Sequence, residues 1–183
     1  ISGIRSLKGR IFFFLIFETV MTEEFKYTHR YDLFDLLAEI FAALLLVGQV
    51  IMLSTALSNL PDVIPNHFNG NGVANGYGSK YTICGPFIFS VILFVVLTLL
   101  SRHPQLYQTR MQKSNKAAEY KMTVKMILSF KPILMLVFFL ISYFMIQTAQ
   151  LKLTEYLNYL VIGILLIVFS HVIYWLIRHA KLN

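Results

Sequence analysis

The chain holds a single cysteine, Cys84, among its 183 residues. An intrachain disulfide is therefore excluded, and so is a metal site built on cysteine. Charge is scarce as well: Asp, Glu, Lys and Arg make up 14% of the residues, against ~25% in ordinary soluble domains. Acidic residues are the rarer kind, 9 against 16 basic ones, for a net charge of +7. The apolar runs lack the period-2 alternation of membrane barrel strands. What fills the chain instead is hydrophobic side chain, 57% of residues against the usual ~45–50%. A soluble domain of this size has too little interior to hide that much apolar surface. Lipid is the simpler host.

Four apolar runs approach the ~20 residues that a helix needs to cross a hydrocarbon core. They cover about 37–57, 83–100, 126–149 and 157–177. Glu39 lies near the start of the first, Lys131 and Pro132 stand inside the third, and His171 lies in the fourth. Backbone groups in lipid must be satisfied within their own segment, so each run reads as a helix. The expected fold is all-α: a four-helix integral membrane bundle forming one domain from residue 21 to 183. Lys and Arg counts set its orientation. Arg102, Arg110, Lys113, Lys116, Lys121 and Lys125 crowd the connection 101–125, whereas the connections 58–82 and 150–156 carry only Lys80 and Lys152. Both termini and the basic connection are thus expected in the cytoplasm, and the loop 58–82 outside, in a bacterial inner membrane. At the start, Arg5, Lys8 and Arg10 precede the apolar stretch 11–17, which is too short to span and has no cleavage site after it. Residues 1–20 read as an extension upstream of a start at Met21; the rival reading is an interfacial anchor.

The outside loop is the most specific stretch. Pro61 and Pro65 hold the residues before them extended and stop the first helix. Asn-Gly pairs at 69–70, 71–72 and 75–76 suit the positive-φ positions of tight turns. An ordered Gly/Asn-rich loop follows, and Ile64, Asn66 and Phe68 permit a short strand. The spacing Leu60-Pro61-x-x-Ile64-Pro65-x-His67-Phe68, then Gly72 and Gly76-Tyr77-Gly78-Ser79-Lys80, resembles a bacterial membrane domain-of-unknown-function family, number 1648. That domain also forms the N-terminal part of the immunity protein against the sporulation-delaying toxin, the SdpI type. The likeness extends to Leu100-Ser101-Arg102-His103-Pro104. Val73-Ala74 departs from the acidic residue and proline of relatives, and Tyr77 from their tryptophan. The resemblance implies a small immunity or membrane-sensing module, with Asn66, His67, Phe68, Tyr77 and Lys80 as partner contacts. Pro61, Pro65, Gly72, Gly76 and Gly78 would shape the loop.

Other candidate chemistry is thin. His67 with Asp62 could bind a metal or move a proton, but a metal site wants three or four ligands and the loop offers no second histidine. The plainer reading of His67 is a hydrogen-bonder that organises the turn. Gly-x-Gly before Ser79-Lys80 lacks the order of a phosphate loop. Glu39 and Lys131 are intramembrane charges and hence functional candidates; the sharper expectation is that they pair across the first and third helices and set register. His171 reads as a structural histidine near the interface. Gln49, Ser54, Thr55, Gln147 and Thr148 are expected to bond between helices, with Gly48, Ala42 and Ala43 permitting close approach. No nucleophile–base constellation or cofactor motif appears, so no enzyme, metal or cofactor is expected. Nor is nucleic acid expected as a partner, since base-reading motifs are missing. The expected partners are the lipid bilayer, an extracellular peptide or another membrane protein, and a second copy of the chain. The competing functional class is a transporter or permease accessory, with a polar path through Glu39, Lys131 and His171.

Overall fold

The computed structural model describes residues 29–69, 73–103, 116–150 and 157–181. The expectations for residues 1–20, Met21, Gly72, Arg110, Lys113 and Lys152 lie outside the described residues. Helix α1 (Leu33–Leu57) leads to a two-stranded antiparallel hairpin, β1 (Val63–Phe68) and β2 (Ala74–Ser79), and then to a 3-10 turn (Lys80–Ile83). Helices α2 (Cys84–Arg102), α3 (Lys116–Ala149) and α4 (Leu157–Ala180) follow. The described chain is mostly helical, with four helices long and apolar enough to cross a membrane. The hairpin adds strands to a fold expected to be all-α.

Two helices start earlier than their apolar runs, for different reasons. The first opens at Leu33 because Asp32 and Asp35 cap it reciprocally. The Asp35 N–H donates to the Asp32 carboxylate at 3.0 Å, and the Asp32 N–H donates to that of Asp35 at 3.1 Å. Helix α3 begins at Lys116, well inside the stretch expected to be a basic loop. Its first turns carry a buried stripe of Tyr120, Val124, Ile127 and Leu128 at helical spacing. Lys121 is exposed and Lys125 half-buried beside that stripe. With 34 residues and ~1.5 Å of rise per residue, α3 is about 50 Å long, more than a ~30 Å hydrocarbon core needs. The helix runs on through Pro132.

Side-chain partners show how the helices lie. Asp32–Lys125, Glu39–Lys131 and Gln49–Ser142 are separated by 93, 92 and 93 residues. A nearly constant offset means that α1 and α3 run parallel in fixed register. Helix α2 runs against both, since Ser90 meets Gln49 whereas Thr98, further along, meets Lys131. Helix α4 packs on α3 and buries none of its apolar span. The bundle is thus three helices plus a fourth leaning on one side of α3, and not four sharing one core. At the hairpin end, Leu53, Ala56, Leu60, Ile64, Ile83, Ile146 and Ala149 form a continuous apolar core.

Candidate functional site

The hairpin is seated by that core. Ile64 of β1 and Ile83 of the 3-10 turn are 0% exposed, packed with the last turns of α1 and α3. Side chains alternate along a strand, so Val63 and Pro65 project to the face opposite Ile64. On β2, Tyr77 pairs with Pro65, and Ser79 with Val63. This outward face carries exposed apolar and aromatic side chains next to Ser79: Val63 is 62% and Tyr77 65% exposed, and Tyr81, just past the strand, is exposed as well. The backbone pattern agrees. The Lys80 N–H donates to the Asp62 carbonyl at 2.9 Å, which makes that pair a hydrogen-bonded rung. Rungs alternate in an antiparallel ladder, so the Pro65/Tyr77 pair turns its backbone groups to the outer edges. Proline, with no N–H, sits where none is required.

Two residues expected to touch a partner, His67 and Lys80, are committed within the hairpin and the turn that follows it. His67 Nδ1 lies 2.5 Å from Asn75 Oδ1. Asn75 Oδ1 only accepts, so the proton sits on Nδ1. The pairing of His67 with Asp62 is not made; Asp62 instead holds Lys80 at 3.0 Å. Asn69 bonds Val73 twice, through its side chain at 3.0 Å and its backbone N–H at 2.9 Å. The glycines of β2 serve space. A Cβ at Gly76 would come within 2.8 Å of the His67 Cβ, and one at Gly78 would meet the Asn66 amide. Neither has a φ in the left-handed region, so the turn role expected of Gly76 gives way to close packing. Asn66 remains exposed above Gly78, Phe68 and Pro65 are half-buried, and Pro61 is exposed just past α1.

Three polar groups tie the helices. Lys131 Nζ donates to Glu39 Oε2 at 2.6 Å and to Thr98 Oγ1 at 2.5 Å, with the Phe94 ring centroid 3.7 Å away. The expected Glu39–Lys131 pair thus forms, and α2 joins it. Glu39 Oε1 is buried without a protein donor. Further along, Gln49 donates to Ser142 Oγ at 2.7 Å and to the Phe138 carbonyl at 3.2 Å, and accepts from Ser90 at 2.9 Å. This clamp joins α1, α2 and α3. Ser54, Thr55 and Thr148, expected to bond between helices, donate instead to carbonyls of their own helices. Short hydroxyl side chains reach the previous turn before they reach a neighbour. Gly48 gives its close approach, with the Phe139 ring 3.4 Å from where a Cβ would stand. His171 meets Ser129 and Trp175, not Lys131. Ser129 and Lys131, two residues apart, lie ~200° apart around α3, so Glu39, Lys131 and His171 do not form one constellation.

At the far end of the α1–α3 seam is a charged cluster. Lys125 bonds the carboxylates of Asp32 and, at 3.3 Å, of buried Asp35, which also holds His29 Nε2 at 2.8 Å. Lys125 beside it, helped by the Asp35 backbone, holds Asp32 down to about 2 from the usual 3.8. The Asp-x-x-Asp spacing was the available signal for the cap; its partner on α3 had no local signal.

Residues 44–99 match the model of a domain of unknown function, DUF1648. The DUF1648 segment is under a third of the chain and runs from mid-α1 through the hairpin to the last turns of α2. It contains the hairpin, Gln49, Ser90 and Thr98; Glu39, Lys131 and His171 lie outside it. No curated protein and no solved structure matches the chain.

Proposed function

We propose that this chain is a small binding module of a bacterial inner membrane, which recognises a membrane-active peptide or a membrane partner through its hairpin. The observation that carries the reading is the two-faced hairpin: Ile64 locks one face to the helix core, while the other holds Val63 and Tyr77 open. A rigidly seated surface at the end of a membrane bundle suits recognition, since little ordering entropy remains to be lost on binding. The orientation that goes with this reading puts the hairpin outside. Among the described residues, Arg30, Arg102, Lys121 and Arg178 stand at the opposite end and favour the cytoplasm there, against Lys80 beside the hairpin. Toxin immunity is the specific form of the proposal, in line with the likeness of the loop to the SdpI type. The reading assigns no catalytic step. A transport path through Glu39, Lys131 and His171 has less support, because these residues divide between opposite faces of α3.

The test is survival of a toxin-sensitive bacterium expressing the wild type, Tyr77→Ala or Glu39→Gln, challenged with sporulation-delaying toxin and other membrane-active peptides at matched membrane levels. Protection by the wild type and Glu39→Gln, lost in Tyr77→Ala, is expected. Protection that survives Tyr77→Ala but fails in Glu39→Gln would transfer the function to the helix interior. Absence of protection against every peptide would remove immunity.

A further inference from the structure

Helix α4 meets α3 through a compact polar triangle. The Trp175 indole N–H points at Ser129 Oγ at 3.0 Å and at His171 Nε2 at 3.1 Å. Ser129 Oγ lies 3.2 Å from His171 Nε2 and 2.9 Å from the Met126 carbonyl oxygen. The Phe130 ring stands 5.3 Å from the imidazole, centroid to centroid.

The hydrogens can be counted. An indole nitrogen only donates, and its one hydrogen stands between two acceptors, Ser129 Oγ and His171 Nε2; given to Nε2, it requires the neutral ring to carry its proton on Nδ1. Ser129 has one hydroxyl hydrogen, which goes to Met126 or to Nε2, and the Nδ1 tautomer is compatible with both. In that tautomer a proton arriving at His171 lands on Nε2. It then aims an N–H at the indole N–H. Ser129 Oγ can accept from both rings while its own hydrogen stays on the Met126 carbonyl, because a hydroxyl has two acceptor sites.

We infer that His171 Nε2 is a proton-binding site that sets how α4 rests on α3. Neutral, with its proton on Nδ1, it accepts from Trp175 one turn along α4 while the indole also reaches Ser129 of α3; protonated from solvent, Nε2 loses the Trp175 bond and both rings compete for Ser129. No covalent bond changes in the step. The charges around the site permit it. On α3 the next ionisable group is Lys131, whose ammonium is committed to Glu39 and Thr98 on the opposite face. Lys125 is held by Asp32 and Asp35. Glu119 is ten residues away along α3, about 15 Å. Helix α4 carries no carboxylate, and its Arg178 bonds the Tyr174 hydroxyl at 3.1 Å. Phe130 offers its ring to an imidazolium. Tyr174, Trp175 and Arg178 are residues typical of the membrane–water boundary, within two turns of His171, so protons need not cross the hydrocarbon core. This site is independent of the hairpin and stands whether or not the hairpin binds a peptide.

Trp175 is the chain's single tryptophan, which makes it a direct reporter. The whole chain in phosphatidylcholine nanodiscs is titrated from pH 8 to pH 4, following tryptophan emission with helicity by circular dichroism as a control. The wild type is expected to lose emission in one reversible step at constant helicity. His171→Gln is expected to remain flat, with the wild type's emission maximum at pH 8. Ser129→Ala, which removes an acceptor from the charged ring, is expected to move the step to lower pH by about one unit or more. A flat wild-type titration, or a step that persists in His171→Gln, would overturn the inference. Should His171→Gln shift its maximum at pH 8, Ser129→Ala decides: an unmoved step there overturns it equally.

Discussion

The two ends of the α1–α3 seam hold the same pair of parallel helices by opposite chemistry. At the hairpin end the contact is dry and apolar, with Leu53, Ala56, Ile64, Ile83, Ile146 and Ala149 closing on one another. At the other end Asp32, Asp35 and Glu39 of α1 face Lys125 and Lys131 of α3. Separating one partner of a buried ion pair strands its charge, so the Glu39–Lys131 contact favours the observed alignment over its neighbours. The charged end shares its register with the Gln49 clamp, and the apolar end seats the hairpin. The Gln49 clamp lies between them and brings in α2.

The contrast can be broken most severely at Glu39. Glu39→Leu leaves the Lys131 ammonium, 1% exposed, without its counter-charge, and should cost about 3–5 kcal/mol. Unfolding in detergent by denaturant measures it, and the double change Glu39→Leu with Lys131→Met should recover most of the loss. Ile64→Ala attacks the other end. A cavity in place of a fully buried isoleucine should cost about 2–5 kcal/mol, with the damage concentrated in the hairpin, as hydrogen exchange of the 63–79 amides would report. Gly76→Ala sharpens the same point more gently: its Cβ would press on His67, and overpacking of this kind costs about 1–3 kcal/mol. A Gly76→Ala protein as stable as the wild type would mean that the strands separate at no cost.

The smallest effect is one of pH. Asp32 titrates near 2 in the fold and near 3.8 when unfolded. A depressed carboxylate stabilises the fold above its unfolded value and loses that contribution as pH falls through its folded one. Stability should therefore drop between pH 4 and pH 2, and Asp32→Asn, which keeps a capping side chain, should flatten that part of the profile. Because Asp32 is exposed, salt should shrink the difference.

The two ends were unequally legible in the sequence. The helices announced themselves, because a long uncharged run has few other fates. The Glu39–Lys131 pair was also readable: two buried charges at similar depth in different spans need each other. Hidden from that reasoning was the early start of α3, where Lys121 and Lys125 obscured the stripe through Tyr120 and Val124. The hairpin was half legible. Pro61 and the Asn-Gly pairs marked turns, yet Ala74-Asn75-Gly76-Tyr77-Gly78-Ser79 has little strand propensity of its own. It pairs because glycines admit Asn66 and His67 across it, a contact between positions that no local pattern links. Likewise the bond of His67 to Asn75 needed the strand register before it could be seen.

The central claim is that the hairpin is a rigid extension of the helix core with one face held open. Residue-resolved hydrogen exchange on the whole chain in nanodiscs tests it most directly. The Lys80 and Asn69 amides, which close the two ends of the ladder, should exchange as slowly as α1 and α3. The Tyr77 amide, turned to the outer edge, should exchange rapidly. Rapid exchange at all three positions would contradict the account, because a loosely tethered hairpin has no fixed face to present.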